Sequence, residues 1–189
     1  MYHDITIRCG LFVLRPVTLQ DAEFIFHLRT DPQVGRFIVN TSDTLQQQMA
    51  WLELYSKRNG DYYFIIEHAS SHESQGTVAI YDVNSSSRTA EWGRWLVKSH
   101  SLCALASAWM IYECAFALLG LSLLYCRTQE ANAKVISFHD SFGAVRRAAA
   151  VHDPTYISAV IEHYIELNDW PIVRSRVGSM ISRLTRTMK

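Results

Sequence analysis

Between Leu102 and Cys126 the chain runs for 25 positions with a single charged side chain, Glu113. A run of that length either spans a membrane or forms the most buried part of a globular core. Glu113 sits near the middle, where an acidic side chain in a bilayer costs roughly 2.5 to 3.5 kcal/mol. Gly120 divides the run into a helix-like part and a Leu/Tyr-rich, strand-like part. Ala104, Ala106, Ser107 and Ala108 are small residues that suit a helix packed closely on a sheet. The run therefore reads as a buried helix from about Ser101 to Leu119 and a central strand, Leu121–Cys126, with no membrane partner.

A chain of 189 residues with 49% hydrophobic content can enclose such a core in one domain. We assign residues 1–170 to that domain. The basic segment 171–189, with Arg174, Arg176, Arg183, Arg186 and Lys189, reads as a peripheral helix. Lys plus Arg and Asp plus Glu are equal at 18 each, which argues against a nucleic-acid partner, since backbone phosphates demand clustered positive charge. The start of the chain, Met1–Asp4 followed by Ile5-Thr6-Ile7-Arg8, does not read as a signal peptide. The four cysteines have no motif spacing, and three lie in apolar surroundings, as expected of reduced thiols in a cytoplasmic protein.

Residues Ile5–Val17 read as an opening strand or hairpin. Thr18 then caps a helix that breaks at Asp31-Pro32, and a second helix begins at Ser42-Asp43-Thr44. Strands follow at Tyr62–Glu67, Gly76–Asp82 and Thr89–Val97, separated by Ser-rich turns. After the apolar run and the polar break Arg127–Glu130 comes a short helix led by Asn132, with His139 one turn before its end and Gly143 as the left-handed stop. Two further strands read at Arg146–His152 and Tyr156–Glu166.

Several short motifs fall in a fixed order along these elements. They are Leu14-Arg15-Pro16 with Asp21-Ala22, Gly76-Thr77-Val78, Ala90-Glu91-Trp92-Gly93, Ala115-Phe116, Leu119-Gly120-Leu121, and Asn132 eleven residues ahead of Gly143. Taken in order, over residues 10–167, they resemble the GNAT superfamily of N-acetyltransferases. The resemblance implies an α+β (mixed α/β) fold. Its sheet would be mixed and mostly antiparallel, with about seven strands and a splayed parallel pair, flanked by helices on both faces.

It also implies acetyl-CoA as co-substrate, held where Thr89–Val97 and Leu121–Cys126 part. Pantetheine would pair with the backbone of Trp95, Leu96 and Val97. The pyrophosphate would rest on Ser99, His100, Ser101, Leu102 and Cys103 at a helix N-terminus, where unpaired N–H groups favour anions. Asn132 and Phe138 would line the cofactor arm. One departure is plain: His100 and Leu102 stand where family members carry glycines in that loop, which weakens the implied grip.

For the chemistry, a neutral amine would attack the thioester directly. Glu91 is the candidate base; as an ordinary strand residue it would instead pair with Arg94 or Arg88. His139 stands where many relatives place a Tyr acid, and an imidazole titrating near neutrality suits proton donation; otherwise it is a surface residue meeting the helix dipole. Arg29, Asn40 and Trp51 fall in the region that caps the acceptor cleft in the family. His68 and His72 lack a third ligand, so no metal is expected. Cys103 lacks a paired base and reads as packing.

The resemblance extends to bacterial enzymes that acetylate amino sugars on nucleotides and to those that acetylate ribosomal-protein N-termini. Arg29-Thr30-Asp31-Pro32, Asn40-Thr41-Ser42, Trp51 and Tyr55 favour a small polar amine such as an amino sugar. A non-catalytic domain binding acyl-CoA is a third reading, and a homodimer is one assembly open to the chain.

Overall fold

The computed structural model describes residues 3–38, 42–148 and 159–187. The elements are β1 (Ile7–Cys9), β2 (Phe12–Pro16), α1 (Ala22–Thr30), α2 (Leu45–Tyr55), β3 (Tyr62–His68), β4 (Ser74–Asn84) and β5 (Thr89–Val97). They continue with α3 (Ala104–Glu113), β6 (Leu123–Gln129), α4 (Ala133–Phe142), β7 (Val145–Ala148), β8 (Val160–Glu166) and α5 (Trp170–Thr187). Eight strands form one sheet in the order β1-β2-β3-β4-β5-β6-β8-β7. Every neighbouring pair is antiparallel except β5 and β6. The fold is the mixed α+β sheet expected, with eight strands where about seven were read.

Period-2 alternation sends β3 side chains to two different cores. Tyr63 and Ile65 join Val17, Ile25, Leu52 and Tyr55 beneath α1 and α2. Phe64 and Ile66 join Val78, Ile80 and Trp92 beneath α3, α4 and α5. The start of α2 is fixed by a reciprocal capping box: the Gln47 N–H donates to Thr44 Oγ1 at 3.2 Å, and the Thr44 N–H donates to Gln47 Oε1 at 3.2 Å.

The apolar run folds as a buried helix and a central strand, with shifted boundaries. The α-helix begins at Ala104, not Ser101, and gives way at Cys114 to a π-helical turn, Cys114–Leu118. Gly120, at φ 65°, releases the chain toward the sheet. Strand β6 starts at Leu123, because the Ser122 N–H is spent on Arg88 O at 2.7 Å. It continues through the polar break expected after Cys126, because Arg127, Thr128 and Gln129 find a complete ladder on β8.

Glu113 has its answer in α5: Arg174 Nε donates to Glu113 Oε2 at 2.7 Å, and Trp170 Nε1 donates to the same oxygen at 3.2 Å. The helix expected at the periphery also carries Trp170, Val173, Val177 and Ile181 into the main core. The strand read at Arg146–His152 is described as β7 to Ala148, and that at Tyr156–Glu166 as β8 from Val160; residues 149–152 and 156–158 lie outside the described residues. No helix among the described residues is long and apolar enough to cross a membrane.

Candidate active site

Strands β5 and β6 pair at three registers only, Thr89↔Leu123, Ala90↔Leu124 and Glu91↔Tyr125, and then part. A bulge in β5 accompanies the separation. Against β4, the step from Ala79 to Thr77 is matched by the longer step from Gly93 to Leu96, so β5 holds one extra residue. Arg94 lies at φ 47°, a left-handed conformation that costs a non-glycine residue of order 1 kcal/mol or more. Two interactions hold it there. Its carbonyl accepts from the buried Thr77 hydroxyl at 2.7 Å, and its guanidinium grips both Asp61 oxygens at 2.6 and 2.9 Å. The same guanidinium lies against the rings of Trp51, Tyr63 and Tyr81, 4.7 to 5.4 Å from their centroids.

The extra residue resets the alternation of β5. Trp92 faces α3 and Arg94 faces Trp51 on α2; Trp95 returns to the α3 side, its Nε1 donating to Ser107 Oγ at 3.0 Å. Glu91 therefore shares a face with Arg94 but not a partner. The ion pairs expected with Arg94 or Arg88 are replaced by Arg127, whose Nη1 donates to Glu91 Oε2 at 2.9 Å. Tyr81 donates its hydroxyl to Oε1 at 3.2 Å.

Glu91 is 3% exposed. Burial pushes its carboxyl up to about 7, with Arg127 and then the Tyr81 hydroxyl opposing the rise. A carboxylate poised there can take a proton near neutral pH. Gly93 makes room for this arrangement, because a Cβ there would stand 2.4 Å from the Tyr81 hydroxyl.

Trp95, Leu96 and Val97 lie on β5 beyond its last pair with β6. Ser99 and His100 form the exposed turn after β5, and His100 takes a left-handed conformation, φ 66°, that glycine adopts most readily. Ser101 Oγ accepts from the Cys103 N–H at 3.4 Å, Leu102 is exposed and Cys103 is buried. Cys103 leads α3 without a side-chain cap. Burial raises its thiol to about 11, so it is protonated at neutral pH. Asn132 caps α4, its Oδ1 accepting from the Val135 N–H at 3.4 Å. Phe138 packs on Trp95 with ring centroids 4.8 Å apart.

His139 departs from its expected behaviour. It is 2% exposed, ringed by Trp92, Trp95 and Phe138, with Nε2 3.5 Å from Cys126 Sγ. Burial and then the neighbouring His163 push it down to about 3, so the imidazole is neutral at physiological pH and does not titrate near neutrality. Nor is it a surface residue at the helix end.

Arg29 and Trp51 lie on the Glu91 side of the sheet. Burial, and then the charge of Arg94, depresses the Arg29 guanidinium, while Tyr63 opposes them. Trp51 stacks on Tyr55 at 5.7 Å and faces the Arg94 cation at 5.1 Å. Asn40 lies outside the described residues. His72 is engaged by Glu67 at 2.7 Å, and no cluster of His, Cys, Asp and Glu among the described residues could hold a metal. Tyr81, Asp61, Arg127 and Glu162 were not read from the sequence. Same-face spacing on β6, Tyr125 then Arg127, was the available signal for the third of them.

A family profile described as an acetyltransferase (GNAT) domain matches residues 12–145. Among solved structures, apo FdhC, a nucleotide-linked sugar GNAT, is 27% identical with a TM-score of 0.75, covering 91% of this chain and 98% of its own. The Vibrio cholerae spermidine N-acetyltransferase in complex with CoA and spermine is 17% identical with a TM-score of 0.75, covering 85% and 98%. No curated protein sequence matches the chain. With a profile spanning most of the sheet, from β2 to the start of β7, the chain belongs to the GNAT acetyltransferase family and is an N-acetyltransferase.

Proposed function

We propose that the enzyme moves an acetyl group from acetyl-CoA to the primary amine of a small polar acceptor, a nucleotide-linked amino sugar. The observation that carries the reading is Glu91, a buried carboxyl poised at about 7 where β5 and β6 begin to part. Acetyl-CoA supplies the activated acetyl thioester.

The chain offers three features suited to that ligand. The edge of β5 beyond Glu91 is released from β6, leaving the Trp95–Val97 backbone for a pantetheine arm. The N-terminus of α3 has no side-chain cap and so keeps N–H groups for a diphosphate. His100, in the loop that lacks the family's glycines, holds a left-handed conformation that glycine adopts most readily. Phe138 of α4 packs on Trp95 beside that edge of β5, and Asn132 at the start of α4 is the side chain assigned to the cofactor arm.

In the transfer, Glu91 takes the proton that the amine sheds as nitrogen bonds to the acetyl carbon and the carbon–sulfur bond breaks. The departing thiolate draws its proton from water, because His139 is neutral and turned into the core.

The sugar-nucleotide acceptor draws on the likeness to FdhC and on side-chain chemistry. Arg29, Trp51 and Tyr81 gather on the acceptor side, backed by the Arg94–Asp61 pair, a set that suits phosphates, sugars and bases better than a polycation. A protein N-terminus from a basic ribosomal protein is disfavoured on the same ground. All four cysteines are free thiols, consistent with a cytoplasmic enzyme.

Two measurements test the reading. Acetyl-CoA in large excess should raise the melting temperature, since a ligand of the folded state stabilises it by mass action; no rise at millimolar acetyl-CoA sinks it. Thiol release should then be at least about tenfold faster with nucleotide-linked amino sugars than with spermidine or basic N-terminal peptides. A preference for either of the latter refutes the acceptor.

A further inference from the structure

Glu91 ends a row of charges that alternate in sign across four neighbouring strands. Arg127 on β6 donates to Glu91 Oε2 at 2.9 Å and also lies 3.5 Å from Glu162 Oε2 on β8. Glu162 is in turn gripped by Arg147 on β7. Sheet register fixes the row: Arg127 pairs with Glu162, and Glu162 with Arg147. Along the row the side chains are 4% exposed at Glu91, 24% at Arg127, 7% at Glu162 and 51% at Arg147, so both carboxylates are buried and the outer cation meets solvent.

Among the described residues, Arg127 is the cation paired with Glu91, and it is shared with Glu162. The other groups facing Glu91 are the Tyr81 hydroxyl and Asp82 from β4, Tyr125 and Cys126 from β6, and Glu162 on β8, whose own charge raises Glu91 a little besides drawing on Arg127. Arg94, on β5 itself, is committed to Asp61, and Arg29 of α1 responds to Tyr63 and Arg94. A guanidinium held by one carboxylate would keep Glu91 ionised and a weak base. Drawn toward a second, it leaves the first with more affinity for a proton.

We propose that Glu162 is a positioning residue for the acetyl transfer, holding Arg127 between two carboxylates so that Glu91 retains the basicity the amine proton requires. The proposal rests on the reading of Glu91 as the base. Arg147 tempers Glu162 from the solvent side, so the two neighbours act on Glu91 in opposite directions. Removing Glu162 frees Arg127 for Glu91 and lowers the midpoint of Glu91. Removing Arg147 strengthens the pull of Glu162 on Arg127 and raises it.

The titration that tests the row needs no acceptor. Protein labelled with carboxyl-13C glutamate is titrated by NMR, the Glu91 signal being assigned by its loss in Glu91→Gln. The wild-type midpoint is expected at about 7. Glu162→Gln should lower it by about half to one pH unit, and Arg147→Gln should raise it by about 0.3. A purely structural role for the row would not move the midpoints apart. Because Arg147 is half exposed, its variant keeps the test open even where Glu162→Gln is poorly folded. Unmoved midpoints, or midpoints moving the same way, overturn the positioning role even if Glu91→Gln is inactive. A Glu91→Gln enzyme with full turnover overturns the base on which it rests, whatever the midpoints do.

Discussion

The two faces of β5 treat buried titratable groups in opposite ways. On the α1/α2 face, burial raises the Glu91 carboxyl while Arg127 and Tyr81 pull it down, and the opposed influences leave it at about 7. On the α3/α4 face, burial and then His163 push His139 down, Asp140 opposes them only weakly, and it falls to about 3. Both side chains are almost wholly buried, at 3% and 2% exposure. Burial carries a carboxyl up toward neutrality and an imidazole down away from it, and at Glu91 Arg127 and Tyr81 limit the rise.

The largest effect should come from removing the poised group. Glu91→Gln keeps the shape of the side chain and abolishes its basicity, so turnover should fall by about 10²- to 10⁴-fold with little loss of stability. A fall below about threefold would erase the functional half of the contrast between the faces.

The next effect belongs to the opposite face and should appear in stability, not turnover. Between pH 6.5 and about 3 the unfolded chain binds a proton at this position that folded His139 refuses. The contribution of His139 is thus complete above pH 6.5, is lost as pH falls, and levels off near pH 3. Its share of the slope is up to about 1.4 kcal/mol per pH unit, or about 2 to 3 kcal/mol by pH 4.5. Urea unfolding at a series of pH values should show that slope in the wild type and a shallower one in His139→Phe. The variant should keep its turnover within about threefold. A hundredfold loss would return His139 to the proton path.

This contrast explains which parts of the molecule were legible from sequence. The strand order, the buried helix and the Asn132–Gly143 unit follow from periodicity and from Asn and Gly at helix ends, both of which are local. The fate of Glu113 was not local, since its partners Trp170 and Arg174 lie on the last helix. The end of β6 was misread because Arg127 looks like a strand breaker until β8 is placed beside it. Glu91 was found through its strand, but its partner was not. The bulge brings Arg94 onto the face of Glu91, but Asp61, from the loop before β3, takes its guanidinium, and that partner is not local in sequence. His139 was read from its place ahead of Gly143, and its burial among Trp92, Trp95 and Phe138 was not visible from that local spacing.

Gly93 offers the smallest and sharpest test, because it lies between the two faces on the strand that separates them. Its φ is not in the left-handed region, so alanine meets no backbone penalty there; the obstacle is Tyr81. A Cβ would stand 2.4 Å from the Tyr81 hydroxyl and 3.3 Å from the ring carbon bearing it, so the ring must retreat from Glu91. The 3.2 Å hydrogen bond to Oε1 is then lost, and with it one of the two groups opposing the desolvation of Glu91. The carboxyl should rise further, so the acid limb of kcat/KM should move up by about half a pH unit, with turnover at pH 7 down by about twofold. Tyr81→Phe removes the same hydrogen bond without the clash and should move the limb equally, while Gly93→Ala alone should cost about 1 kcal/mol of stability through strain. If Gly93→Ala slows the enzyme with its limb unmoved, the glycine serves only packing, and opposition from Tyr81 is not part of what sets Glu91 apart from His139.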